Sequence, residues 1–262
     1  MFDSRVEIIP ANGIAAMVSR HLPTSTTLTI TCLPAHGIER TMAAALELAD
    51  LGYAVVPHLA ARAVADKGQL RNLLADCATA GITEVFTISG DAPRAAGPYA
   101  SSTPLMADIA ELSAGSMKMG VAGYPEGHPA THGVQLLDEL LAKQELASRV
   151  VTQMCFSAEA INNYAGLLRR EGVRLPVWAG VAGAVPRTKL LALAGKIGVG
   201  TSLRFLSTKG SFARHMLGGE RYQPDALIDG LAPTHIAGLH LYSFNSLAAL
   251  PAALGPATAH AG

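Results

Sequence analysis

The sequence predicts a (β/α)8 barrel, and three observations carry that expectation. Short β-branched or apolar runs alternate with segments of helical spacing from one end of the chain to the other, eight times over. The 262 residues suit a fold that takes about 250 as one unit. Polar or ionisable side chains recur where the apolar runs stop, and the C-terminal strand ends are where such barrels gather their ligands. A doubly wound open sheet is the competing architecture, but no G-x-G-x-x-G follows the first run, and neither a Walker loop nor a G-x-S-x-G is present. Residues 1–262 are therefore expected to form one barrel domain.

Val6-Glu-Ile-Ile-Pro10 is the first strand, and Ala11 to Arg20 is a weak helix. Glu7 is out of character among Val and Ile. It either points outward near a chain end or is held in a cavity, where loss of hydration favours a protonated carboxyl. Thr27 to Leu33 alternates Thr with Leu and Ile and stops at Pro34, and Glu39 to Leu51 has helical spacing closed by Gly52. Tyr53 to Val56 is the third strand, with Pro57-His58 just past its end. Lys67 to Ala80 sets Leu70, Leu73, Leu74 and Cys77 on one helical face. Thr83 to Ile88 then reads as a buried strand cut off by Gly90-Asp91-Ala-Pro93. Asp91 is either a ligand-facing carboxylate or a turn residue closing a loop. Ala92 to Ser102 is too long for a simple connection and is a candidate ligand loop.

Met106 to Leu112 is helical, and Lys118 to Gly123 is a strand that runs into Gly123-Tyr-Pro-Glu-Gly-His-Pro129. His128 and His132 are four apart, but Pro129 breaks the turn a zinc pair would share and the zincin Glu is missing, so no metal site is expected. Val134 to Ala147 is an amphipathic helix. Arg149 to Phe156 is a strand in which the amide of Gln153 needs a partner, from a ligand or a capped loop. Ala158 to Arg170 is helical, Pro176 to Val181 is a strand, Arg187 to Lys196 a helix, two short helical pieces fall between Ser207 and Leu231, and His235 to Phe244 is the eighth strand.

Half the residues are hydrophobic and 15% are charged, with twenty basic and twenty acidic side chains. That balance argues against nucleic acid or an anionic membrane held by bulk charge and favours a small-molecule ligand. Cys32, Cys77 and Cys155 are odd in number and widely spaced, so no disulfide framework is indicated. Without an apolar leader near Met1 or a run of about 18 apolar residues, the chain is expected to be cytoplasmic. The apolar stretch Leu247 to Leu254 makes a homo-oligomer an expectation.

Taken together, Val6-Glu-Ile-Ile-Pro10, Pro57-His-Leu59, Ile88-Ser-Gly-Asp91, Gly123-Tyr-Pro-Glu-Gly-His-Pro129, Val151-Thr-Gln153 and Gly238-Leu-His-Leu-Tyr-Ser-Phe-Asn245 resemble the methylenetetrahydrofolate reductase family in order and spacing. The resemblance implies a (β/α)8 barrel that passes a hydride from NADH or NADPH, by way of FAD, to 5,10-methylenetetrahydrofolate, giving 5-methyltetrahydrofolate. It makes Glu7 the general acid and Asp91 the carboxylate beside flavin and pterin. Gln153 becomes a contact to folate and nicotinamide, and Tyr242 joins Asp91 and Gln153 among the substrate contacts. Thr31, His58, Ser89, Gly90, Asp91, Ala100, Tyr124, His128 and Lys143 fall on flavin-contacting positions. A flavin-free direct transfer and a non-catalytic folate- or flavin-binding partner subunit are the alternatives.

The departures from the family concentrate away from the reacting atoms. Ser89 stands where the family has Arg before Gly-Asp. Leu136, Glu139 and Ala142 replace polar and Arg contacts to the FAD tail, and Glu139 has the wrong sign for a diphosphate. Ser246 replaces the Arg of a terminal Asn-Arg, and Pro10-Ala-Asn replaces Pro-Pro-Arg.

Overall fold

The structure is a computed structural model, described here for residues 2–128, 133–186 and 221–250. Eight parallel strands close in sequence order: β1 (Asp3–Ile8), β2 (Thr27–Ile30), β3 (Val55–Ala60), β4 (Glu84–Ile88), β5 (Lys118–Gly123), β6 (Arg149–Thr152), β7 (Val177–Ala182) and β8 (Ile236–Tyr242). The helices between them are α1 (Ile14–His21), α2 (Gly37–Asp50), α3 (Lys67–Thr79), α4 (Ser102–Leu112), α5 (Gly133–Lys143), α6 (Ala158–Arg170) and α7 (Asp225–Asp229). Short 3-10 turns cover Ala61–Ala63 and Leu247–Ala249. Among the described residues no helix is long and apolar enough to cross a membrane. The expected helix at 187–196, most of the expected helical pieces between 207 and 231, and His132 lie outside the described residues.

Strand alternation divides the core. Val6, Ile8, Leu28, Ile30, Leu59, Val85, Met119, Val121, Val150, Val177, Leu239 and Leu241 belong to the large cluster packed under the helices. Each fully buried aliphatic side chain contributes about 1.5–3 kcal/mol. The helices meet this layer with the faces their spacing predicts, for example Leu70, Leu73, Leu74 and Cys77 of α3. Asp66 caps α3 by accepting from the Gln69 N–H at 2.7 Å, and Ser157 caps α6 by accepting from Ala160 N–H at 3.1 Å.

The ends of β3 and β6 differ from the sequence reading in ways that move site residues. Pro57 lies within β3, which continues to Ala60, because a proline ring costs a strand one donated N–H without forbidding extended backbone. His58 is therefore inside the barrel rather than past a strand end. The sixth strand stops at Thr152, so Gln153 sits just beyond it, its N–H donating to Gly123 O at 2.7 Å.

Closure joins the two ends of the described chain. Residues Asp3 to Glu7 pair in register with Gly238 to Tyr242. Above that seam Asn245, in left-handed backbone at φ 60, accepts from Ile9 N–H at 2.8 Å and donates to Ile9 O at 2.9 Å. The Ser243 hydroxyl donates to Glu7 O.

Candidate active site

Inward side chains form tiers. In the lower one, the Arg5 guanidinium grips Glu84 with two bonds of 2.7 and 3.0 Å, and Arg149 approaches the same carboxylate at 2.9 and 3.0 Å. Both guanidiniums lie over the Trp178 ring, 4.8 and 5.0 Å from its centroid. Burial and the neighbouring Arg5 charge lower the Arg149 pKa, against the pull of Glu84. Gly238 makes room for the indole, since a Cβ there would lie 2.8 Å from it.

The upper tier holds Glu7, His58, Phe86 and His240, from β1, β3, β4 and β8. The rings of His58 and Phe86, register partners on neighbouring strands, have centroids 4.8 Å apart, and each lies 6.4 Å from the His240 ring across the interior. Glu7 is 9% exposed, so of the two sequence alternatives the outward one is ruled out and the carboxyl faces the barrel interior. Its Oε2 lies 2.9 Å from His240 Nε2 and 3.8 Å from His58 Nε2. Burial, opposed by Glu7 and reinforced by His240, pushes the His58 pKa down to about 4, so this imidazole is neutral at physiological pH. His240 was not singled out from the sequence, although its alternation with Gly238 and Tyr242 along β8 places it inward.

The rim is built from strand ends. Asp91 is exposed just past β4, after Gly90 at φ 84, where a Cβ would press on Ala60 Cβ at 3.0 Å. Tyr124 follows β5 and meets His128 edge-on at 5.0 Å. Behind it, Tyr164 of α6 hydrogen-bonds to the Tyr124 backbone, and a Cβ at Gly123 would meet the Tyr164 hydroxyl at 2.9 Å. Tyr242 ends β8 with its hydroxyl donating to Thr152 O at 3.1 Å. Burial, then Glu7, then Tyr124 raise the Tyr242 pKa, while burial, then Asp91, then Glu139 raise that of Tyr124. Glu7, Tyr242, Tyr124 and Asp91 are thus successive electrostatic neighbours at one end of the barrel. Ser89 and Gln153 are half-buried there, and Ala100 is exposed on the loop after Asp91. Lys143 is set apart, closing the far end of α5 with its ammonium 3.6 Å from Glu139.

Residues 12–195 match the sequence model of the methylenetetrahydrofolate reductase family, well over half of the chain. The chain belongs to this family. Glu7, His240 and Tyr242 lie outside the matched stretch. Two solved structures share the barrel: a candidate lyase/mutase from Burkholderia cenocepacia J2315, with TM-score 0.54 and 13% identity over 95% of this chain and 78% of that one, and a 2,3-dimethylmalate lyase of the PEP mutase/isocitrate lyase superfamily, with TM-score 0.50 and 9% identity over 75% and 72%. At such identities they speak for the fold alone.

Family membership places the chain among folate-linked reductases, which generally carry flavin, and the upper barrel can be tested for that group. Four buried polar atoms there have no hydrogen-bond partner among the described residues: Thr29 Oγ1, Thr31 Oγ1, His58 Nε2 and His240 Nδ1. A buried polar atom left unpaired costs about 1–3 kcal/mol, so this end suits a ligand edge rich in donors and acceptors, as a flavin or pterin ring is. The diphosphate end fits less well. Ser89 brings no charge, and Lys143 is shared with Glu139. Among the described residues no group of three or more His, Cys, Asp or Glu could hold a metal ion.

Proposed function

We propose that the protein reduces 5,10-methylenetetrahydrofolate to 5-methyltetrahydrofolate with a hydride from NADH or NADPH. The observation that carries this reading is the Glu7 carboxyl, buried below the rim and held at 2.9 Å by His240. Ring opening breaks a carbon–nitrogen bond of the imidazolidine. The nitrogen takes the proton Glu7 provides, and the hydride reaches the methylene carbon. Asp91 at the rim and Gln153 beyond β6 orient the pterin, and the phenol of Tyr242 walls the passage between them and Glu7. Thr31, His58, Ser89, Gly90, Ala100, Tyr124 and His128 would hold the ring end of FAD, with Lys143 toward its tail. When bound, FAD supplies a two-electron carrier between nicotinamide and folate.

A second reading, direct transfer from nicotinamide to folate with no flavin, is favoured by the neutral Ser89 and by the Glu139–Lys143 pair. The absorbance spectrum of the purified protein, taken anaerobically before and after NADH, separates the two. Flavin bands that bleach support the first; turnover from a protein without those bands supports the second. Glu7→Gln tests what both share. It should lower kcat by about 10²–10⁴ with ligand affinity kept, and wild-type turnover in this variant would end the proposal. A protein that binds folate and turns nothing over would be a partner subunit.

A further inference from the structure

The loop between β4 and α4 reads in sequence as a long, Gly- and Pro-rich connection, yet it is fixed to the end of β3 at both limbs. Arg62, in the 3-10 turn after β3, is the centre of that attachment. Its backbone N–H donates to Ser89 O at 3.0 Å, and its own carbonyl accepts from Ala96 N–H at 2.9 Å. Its guanidinium reaches both limbs at once, Nη1 donating to Ala92 O at 3.0 Å and Nε to Ala100 O at 3.1 Å. Two glycines allow this approach. A Cβ at Gly97 would lie 1.9 Å from Ala65 O, and one at Gly90 would press on Ala60 Cβ. Farther along, Tyr99 is buried and donates to Asp108 Oδ2 at 2.6 Å. Asp91 lies between Ser89 and Ala92, two of the residues whose carbonyls Arg62 holds.

We propose that Arg62 is a positioning residue for the rim carboxylate: one guanidinium, bridging Ala92 and Ala100, holds Asp91 in the place from which it meets a bound substrate. The inference rests on the reductase reading for its kinetic consequence, but the clamp itself does not. A planar fork donating through two separate nitrogens to two carbonyls is a geometry that a Lys ammonium reproduces poorly and a Gln amide is too short to span. Because charge-assisted bonds to main-chain carbonyls order the loop before binding, substrate need not spend affinity on ordering it.

The test compares wild type, Arg62→Lys, Arg62→Gln, Asp91→Asn and the Arg62→Gln/Asp91→Asn pair, all as the full chain. Limited trypsinolysis under native conditions reads the loop through cleavage after the exposed Arg94. The expected result is about tenfold faster cleavage in Arg62→Gln and a smaller increase in Arg62→Lys. In kinetics, Arg62→Gln should raise KM for methylenetetrahydrofolate about tenfold with kcat changed less than threefold. The double variant should be no worse than Asp91→Asn alone, since Arg62 acts through that carboxylate. Unchanged cleavage in Arg62→Gln overturns the clamp. Faster cleavage with unchanged KM, or fully additive losses in the double variant, overturns the positioning role and leaves the reductase reading standing. A wild-type protein with no turnover overturns that reading and the kinetic role with it, while the protease rates still decide the clamp.

Discussion

A neutral imidazole beside a carboxylate is the residue-scale feature with the clearest solution consequence. His58 has its pKa lowered from 6.5 to about 4, so between those values the unfolded chain binds a proton that the fold refuses. Stability contributed by the neutral ring is complete above pH 6.5 and is lost as pH falls toward 4. The shift corresponds to on the order of 3 kcal/mol. Urea midpoints measured from pH 7.5 to pH 4 should therefore drop, and His58→Asn should flatten that part of the profile; a variant as pH-sensitive as wild type would contradict the assignment. His240 acts differently, because its Nε2 fixes the Glu7 carboxyl. His240→Phe keeps an aromatic volume and removes that contact, so kcat should fall at least tenfold while folate KM changes little, measured by steady-state assay. The sequence made Glu7 conspicuous as a lone acid in an apolar strand. It marked His58 only as a histidine at a strand end and left His240 unmarked, because a histidine in a strand becomes informative only when its neighbours across the barrel are known.

Elements were legible where periodicity was strong. Lys67 to Ala80, Lys118 to Gly123 and Ala158 to Arg170 were each placed to within a residue. Element ends at proline were not, since Pro57 acts as ordinary strand backbone. The helix expected from Met106 starts at Ser102, four residues earlier, because Pro104 is tolerated in a first helical turn where no N–H partner is lost. Glycines show the same dependence on context. A Cβ at Gly180 in β7 would sit 2.1 Å from Thr152 O of β6, so the two strands could not approach. Gly180→Ala should cost about 3 kcal/mol or more in denaturant unfolding. Gly166, inside α6, faces only the tip of Arg170 at 3.5 Å, and Gly166→Ala should stabilise by about 0.5–1 kcal/mol. Equal effects at the two positions would mean the strand contact is not tight.

At the scale of the whole molecule, eight alternations along the chain were enough to anticipate a closed barrel and the end at which its polar strand tips gather. What filled the barrel was not anticipated, because Arg5, Glu84 and Arg149 are far apart in sequence and each alone reads as a surface charge. They form a floor of two cations sharing one carboxylate. Glu84→Gln keeps the shape and leaves both guanidiniums without a counter-charge, which should cost about 3–5 kcal/mol in urea unfolding. A loss under 1 kcal/mol would mean solvent reaches the floor. The ring against which those cations lie is the only tryptophan in the chain. It belongs to β7, and the guanidiniums that lie over it come from β1 and β6. Its intrinsic fluorescence is therefore a built-in optical gauge of ring closure: the emission shift and quenching that accompany the docking of these cations on the indole time the moment when the first strand meets the seventh, with no label introduced.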